Sequence, residues 1–174
     1  NSVASTTQVS VTTFNDINCG NTSATDNWRL GIWSDTTGWP RTATFYQDRF
    51  FFANNAKSPN TVWASESGNF ETFSPTNNEA EVLDDAGLDL TLATDQVNAI
   101  RWMYSGKALQ LGTSDGPFII SSGSDNLALT PNNVTVNRET SDGVAQKKPI
   151  GAGKATLYID RTRTKIRELA YSLE

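Results

Sequence analysis

Residues 38–63, GWPRTATFYQDRFFFANNAKSPNTVW, decide the fold. They are dense in aromatic and β-branched residues and are cut by turn residues at short intervals. Residues 42–46 (TATFY) alternate, with Ala43 and Phe45 on one side and Thr42, Thr44 and Tyr46 on the other, the mark of a half-buried strand. Gln47-Asp48 is a two-residue break, a weaker hairpin signal than Asn-Gly. Residues 49–53 (RFFFA) are apolar on both faces of a pleat, as in a strand enclosed on both sides. After a loop of Asn, Ser and Pro, residues 61–65 (TVWAS) supply a third strand. Three short antiparallel strands make a sheet with one apolar face, and such a face must be covered by another layer.

Outward from this ribbon the chain repeats the theme. Towards the N-terminus, residues 28–33 (WRLGIW) put Trp28, Leu30 and Ile32 in phase, and a turn follows over 35–40. Residues 1–27 are polar, with a possible strand at Val9 and Val11, and read as an N-terminal strand and linker ahead of a β domain spanning 28–174. Towards the C-terminus, Phe70 and Phe73 predict one helical turn or a loop anchored by two rings. Residues 88–92 (LDLTL) alternate strictly. Residues 97–104 (VNAIRWMY) change phase at Ala99-Ile100, which predicts a bulge. Strands are predicted at 107–113, 117–121, 134–138, 155–160 and 165–173, with turns at 105–106, 114–116 and 161–163. No apolar pattern of helical period persists over 11 residues.

The fold class is therefore all-β. A strand–turn–strand shape recurs at RFFFA…TVWAS, at ALQLGTSDGPFIIS and at ATLYIDRTRTKIREL. Steps of about 45 to 60 residues suit propeller blades. The expectation is a partial β-propeller of about three blade-like units, with a β-sandwich as the alternative. Three units are too few to close a ring, and open sheet edges invite association. A chain of 174 residues that opens on Asn1 is expected to be a fragment or a processed product.

Composition narrows the chemistry. Apolar residues make up 37% and charged residues 19%, and no run is long and apolar enough for a membrane helix. There is no histidine and a single cysteine, Cys19. Ser-His-Asp and Cys-His catalysis, an internal disulfide and a cysteine-cluster metal site are excluded within this chain. The net charge of −5 argues against a protein that grips nucleic acid by its phosphates. The densest basic stretch, 161–167 (RTRTKIR), reads as a solvated face.

Three groups of residues could carry chemistry. Asp84, Asp85, Asp89 and Asp95 could hold Ca²⁺ or act as a glycosidase acid pair, but their spacing fits no EF-hand loop, and a charged turn leading into a strand is the simpler reading. Trp28, Trp33, Trp39, Tyr46, Trp63 and Trp102 could form a sugar-stacking platform, but in an all-β domain such rings more often fill the core. Asn21-Thr22-Ser23 and Asn133-Val134-Thr135 match the glycosylation acceptor pattern by chance, and residues 151–154 (GAGK) lack the context of a phosphate loop. No catalytic, cofactor-binding or metal-ligating residue is expected.

The order of motifs resembles a known family. Residues 38–41 (GWPR) lead into TFYQDRFFFA. PNTVW at 59–63, GNF at 68–70 with Phe73, and LTLATDQVNAIRWM follow. LQLGTSDGPFII, LTPNNVTVNRETSDGVA and KIRELAYSLE complete the series. Over residues 28–174 the chain resembles the tail tubular protein B, or tail nozzle, family of short-tailed bacteriophages and related prophage proteins. The resemblance implies a structural virion protein without catalytic activity or cofactor. Its copies would assemble as a ring, typically a hexamer, at the tip of the tail, beside the tail adaptor and fibres, with DNA passing through unbound. It also implies that residues 38–41 set the turn into the first strand, with Pro40 where no strand donor is needed. Arg101 and Asp95 could pair at a blade corner. The rival expectation is a carbohydrate-binding or glycan-cleaving β-domain at a tail tip.

Overall fold

The computed structural model describes residues 2–5, 8–10, 32–77, 80–94, 97–123 and 127–170. The chain divides into two compact units, Asn1–Gly31 and Ile32–Glu174. The first carries an antiparallel pair, β1 (Ser2–Ser5) and β2 (Gln8–Ser10), in which Val3 faces Val9. Trp28, Cys19, Val11, the glycosylation pattern at Asn21 and the carboxylate of Asp95 lie outside the described residues.

The second unit is built from three antiparallel sheets, taken in chain order. The first holds β3 (Thr42–Tyr46), β4 (Arg49–Ala53), β5 (Thr61–Ala64) and β6 (Leu88–Thr91). The second holds β7 (Ile100–Ser105), β8 (Leu109–Thr113), β9 (Gly116–Ser121) and β10 (Thr135–Arg138). The third holds β11 (Ile150–Ala152), β12 (Ala155–Ile159) and β13 (Ile166–Ala170). Every strand pairs with its neighbour in sequence, so each sheet is a plain meander, completed before the next begins. A Greek-key sandwich would exchange strands between layers; here the three units have the blade-like form expected, and no sheet closes on itself. No helix occurs among the described residues, and the Phe70–Phe73 segment is a loop held by a bridge between Glu66 and Asn69.

The β3–β4 turn forms despite its residues. Gln47 and Asp48 both have positive φ, 45° and 58°, the geometry of a type I′ turn. The Gln47 side-chain oxygen accepts a hydrogen bond from the Leu129 backbone N–H at 2.8 Å, and the Asp48 carbonyl accepts one from Gly68 N–H at 2.8 Å. The turn residues thus tie distant loops, which a plain Asn-Gly would do less well. Upstream, Gly38 (φ 88°) donates to the Ser34 carbonyl, and a Cβ there would meet Ala56 Cβ at 2.8 Å. Pro40 precedes β3 and its missing donor costs nothing, since Arg41 N–H already reaches the carbonyls of Ala53 and Asn54.

Alternation decides which residues meet between layers. Phe51 and Ala53 of β4, Val62 and Ala64 of β5 and Leu88 of β6 share the inner face of the first sheet. They pack on Leu109 and Leu111 of β8 and Phe118 and Ile120 of β9, all at most 4% exposed. The opposite face of the second sheet meets the third: Trp102, Val144, Tyr158 and Leu169 form a smaller cluster. The bulge falls between Ile100 and Trp102, within a residue or two of the phase change in the sequence. It frees Arg101, which donates to the Val144 carbonyl at 2.7 Å, a use the expected pairing with Asp95 did not foresee. Trp102 lies flat over Gly112, where a Cβ would come within 2.1 Å of the indole, so only glycine lets the ring in.

Candidate functional site

The outer face of the first sheet is where the chain leaves aromatic side chains within reach of solvent. Register places Ala43 opposite Phe52, Phe45 opposite Phe50, Phe52 opposite Trp63 and Trp63 opposite Asp89, all on this side. Phe45 stacks on Phe50 at 4.4 Å between centroids and meets Phe70 edge-on at 5.3 Å. Phe50 and Phe52 lie 4.4 Å apart. Trp33 stands edge-on to Phe52, Trp63 and Phe73 at 4.9, 5.9 and 4.8 Å. Such pairs contribute roughly 0.5–1.5 kcal/mol each beyond the area they bury.

This corrects one expectation. RFFFA reads as a strand covered by a layer on each side, yet among the described residues of the second unit no sheet covers Phe50 and Phe52. The loops carrying Trp33, Phe70 and Phe73 fold over them, and both stay half-buried. Phe45 remains 58% exposed and Phe70 42%. Trp39 is a second correction: it is 60% exposed, not part of the core, and its indole N–H donates to the Asp35 carboxylate at 3.2 Å. Tyr46, Trp63 and Trp102 are buried as expected, and Trp33 is intermediate.

Among the described residues the carboxylates are not gathered into a group of three or more. Asp89 lies on the outer face beside Trp63. It is exposed, yet partial desolvation pushes its pKa above the usual carboxylate value, opposed by a hydrogen bond from Trp63. Asp84 and Asp85 belong instead to a turn wrapped around Arg49, whose side chain is on the inner face. The Arg49 guanidinium is buried and donates to the carbonyls of Ser65 (2.8 Å), Ala86 (2.6 Å) and Asp84 (2.9 Å). Burial lowers its pKa, while Asp85 and Glu66 act the other way. The side chain of Asp84 meets Asn132 at 3.3 Å. Among the described residues no group of three or more potential metal ligands exists.

The other sequence signals are absorbed locally. Asn133 holds its own turn, donating to Ala128 O and accepting from Thr130 N–H, both at 2.8 Å. Residues 151–154 form the end of β11 and the turn into β12. Of the basic stretch, Arg161, Arg163 and Lys165 are exposed, and Arg167 pairs with Asp142 at 2.8 Å. Sequence reading missed Arg49 as an anchor; its signal was a lone charge opening an otherwise apolar strand.

The chain matches no protein-family model and no curated protein sequence.

Proposed function

We propose that the chain is a structural, non-enzymatic module of a bacteriophage tail nozzle, part of the conduit through which DNA leaves the particle. The observation that carries this reading is the stack of three successive meanders, joined layer to layer by two apolar clusters. The order of motifs along residues 28–174, which resembles that of the tail nozzle family, supports it. Its location is the virion, and its partners are further copies in a ring, a hexamer by the family's habit, with the tail adaptor and fibres. DNA slides past without being gripped: a net charge of −5 suits a wall that repels phosphates. The test is to interrupt the gene in the phage or prophage that encodes it. Particles are expected to package DNA, lack the tail tip and fail to eject. Complete, infective particles without the protein overturn the reading.

A second reading, a glycan-binding surface at a tail tip, is favoured by one observation. Trp39 is exposed and its indole is held in place by Asp35, as a sugar-stacking ring would be. Binding to a glycan array that is lost in Trp39→Ala supports it, and identical signals for both proteins remove it.

A further inference from the structure

The stack of sheets has two unlike ends. At one end is the aromatic outer face of the first sheet, with Ala43, Phe45 and Phe70 open to solvent. At the other, the third sheet turns Thr156, Tyr158 and Leu169 towards the second, and no described element packs on its far side. Register puts Ile150 beside Leu157 and Ile159 beside Ile166 on that far side, with Glu168 next to Leu157. Ile150 is 71% exposed and Ile166 73%, and Leu157 and Ile159 are only half-buried. A contiguous aliphatic patch on a sheet face is an interaction surface by default.

Charge separates the ends in the same sense. The described residues between 32 and 94, which build the first sheet and its loops, hold eight carboxylates and three basic residues, a formal −5. The loop that lays Phe70 and Phe73 on the aromatic face also carries Glu66 and Glu71, and Asp89 lies on the face itself. Residues 144–170, which build the third sheet, hold seven basic residues and two carboxylates, a formal +5. Lys147, Lys148, Lys154, Arg161, Arg163 and Lys165 are all exposed, in the segments that lead into β11 and join the strands. An apolar face with a basic border thus belongs to the same molecule as an apolar face with an acidic border.

We infer that these faces bind one another between copies: the aliphatic end of one chain seats on the aromatic end of the next. The inference rests on the reading above as a structural module that meets its own copies, and it names the surfaces through which they meet. The contact repeats the way the sheets already stack inside one chain, face on face about 10 Å apart. Matching apolar centres supply the attraction, and opposite borders fix polarity and reject like-with-like pairing. Because the two surfaces differ, the association is head-to-tail, and it closes into a ring or runs on as a filament according to the rotation per step.

The test uses purified protein in sedimentation velocity, without any phage component. The wild type is expected to self-associate with concentration, and more weakly as salt rises. Ile150→Glu with Ile166→Glu inactivates the aliphatic end, and Phe45→Glu inactivates the aromatic end. Each variant alone is expected to self-associate at least about tenfold more weakly, since two buried isoleucines or one buried phenylalanine supply that much. Mixed, the two retain one good surface each and are expected to form a 1:1 dimer and nothing larger. Circular dichroism checks folding, and Ile150→Ser with Ile166→Ser replaces the glutamate pair if that pair disturbs it. A wild type that stays monomeric overturns the inference, as does a Phe45→Glu variant that still self-associates or a mixture that makes no dimer. None of these results bears on whether the protein is found in a tail, which the gene interruption decides separately.

Discussion

Arg49 shows how a single residue can organise a sheet from inside. It opens β4, yet it is 2% exposed and its guanidinium satisfies three backbone carbonyls from two separate segments. Hydrogen bonds to a charged donor are stronger than neutral ones, and buried carbonyls left without a donor are costly. Arg49→Met, which keeps the stem and removes the donors, is expected to lower unfolding stability by about 3 kcal/mol or more, measured by urea denaturation. Asp160 plays a comparable part at the β12–β13 turn. Its carboxylate accepts from the Thr162 hydroxyl at 2.7 Å and from the backbone N–H groups of Thr164 and Lys165. The Thr162 bond leads in holding its pKa below the usual value, with those of Lys165, Thr164 and Arg163 adding to it against burial. A depressed carboxylate contributes stability above the unfolded-state pKa and loses it as pH falls through the folded value. Asp160→Asn is therefore expected to melt lower than wild type at neutral pH, with the gap closing in acid. A gap that persists unchanged at the most acid pH where both still fold would contradict this account.

At the scale of elements, the strands were legible and their coverings were not. β3, β4, β5, β6 and β12 fall within a residue of their sequence-based bounds, because alternation is set by the pleat itself. β11 was hidden: three residues, two of them Gly and Ala, give no alternation to see. The β3–β4 turn was the opposite case. Its position was plain, and aspartate suits positive φ, but nothing local explains a glutamine there; its side-chain oxygen accepts the long-range hydrogen bond from Leu129 N–H. The two turn residues are thus separable by mutation. Asp48→Gly relieves a left-handed conformation and keeps the carbonyl that Gly68 uses, so it is expected to stabilise by roughly 0.5–1 kcal/mol. Thermal melts of this variant check the sign. Trp39 was misread because an exposed ring and a core ring look alike in a sequence; the Asp35 contact four residues upstream is the one local hint.

For the whole molecule, the layering implies a gradient of stability. The second sheet is covered on both sides, by the larger cluster on one and by Trp102, Tyr158 and Leu169 on the other. The third sheet has only the smaller cluster beneath it and an open face above. Native-state hydrogen exchange is expected to find the slowest amides in β8 and the fastest strand amides in β11 and β13, opening as a unit before the first two sheets. Uniform protection across all three sheets would mean that they unfold together, contrary to this layering. The number and order of the sheets could be read from the repeat in the sequence, since each unit is local. Which faces stay open could not, because that depends on which loops fold back, and loops carry no period.

The grip of Arg49 has a consequence for how such a chain can change over generations. It holds its neighbours by their main-chain oxygens alone, which every amino acid supplies. The exposed side chains of residues 81–85 can then vary while the loop stays held, although buried Ala86 must stay small, whereas the one position that does the holding has no substitute. Variation here should be plentiful in the acidic turn and nearly absent at the cation beneath it.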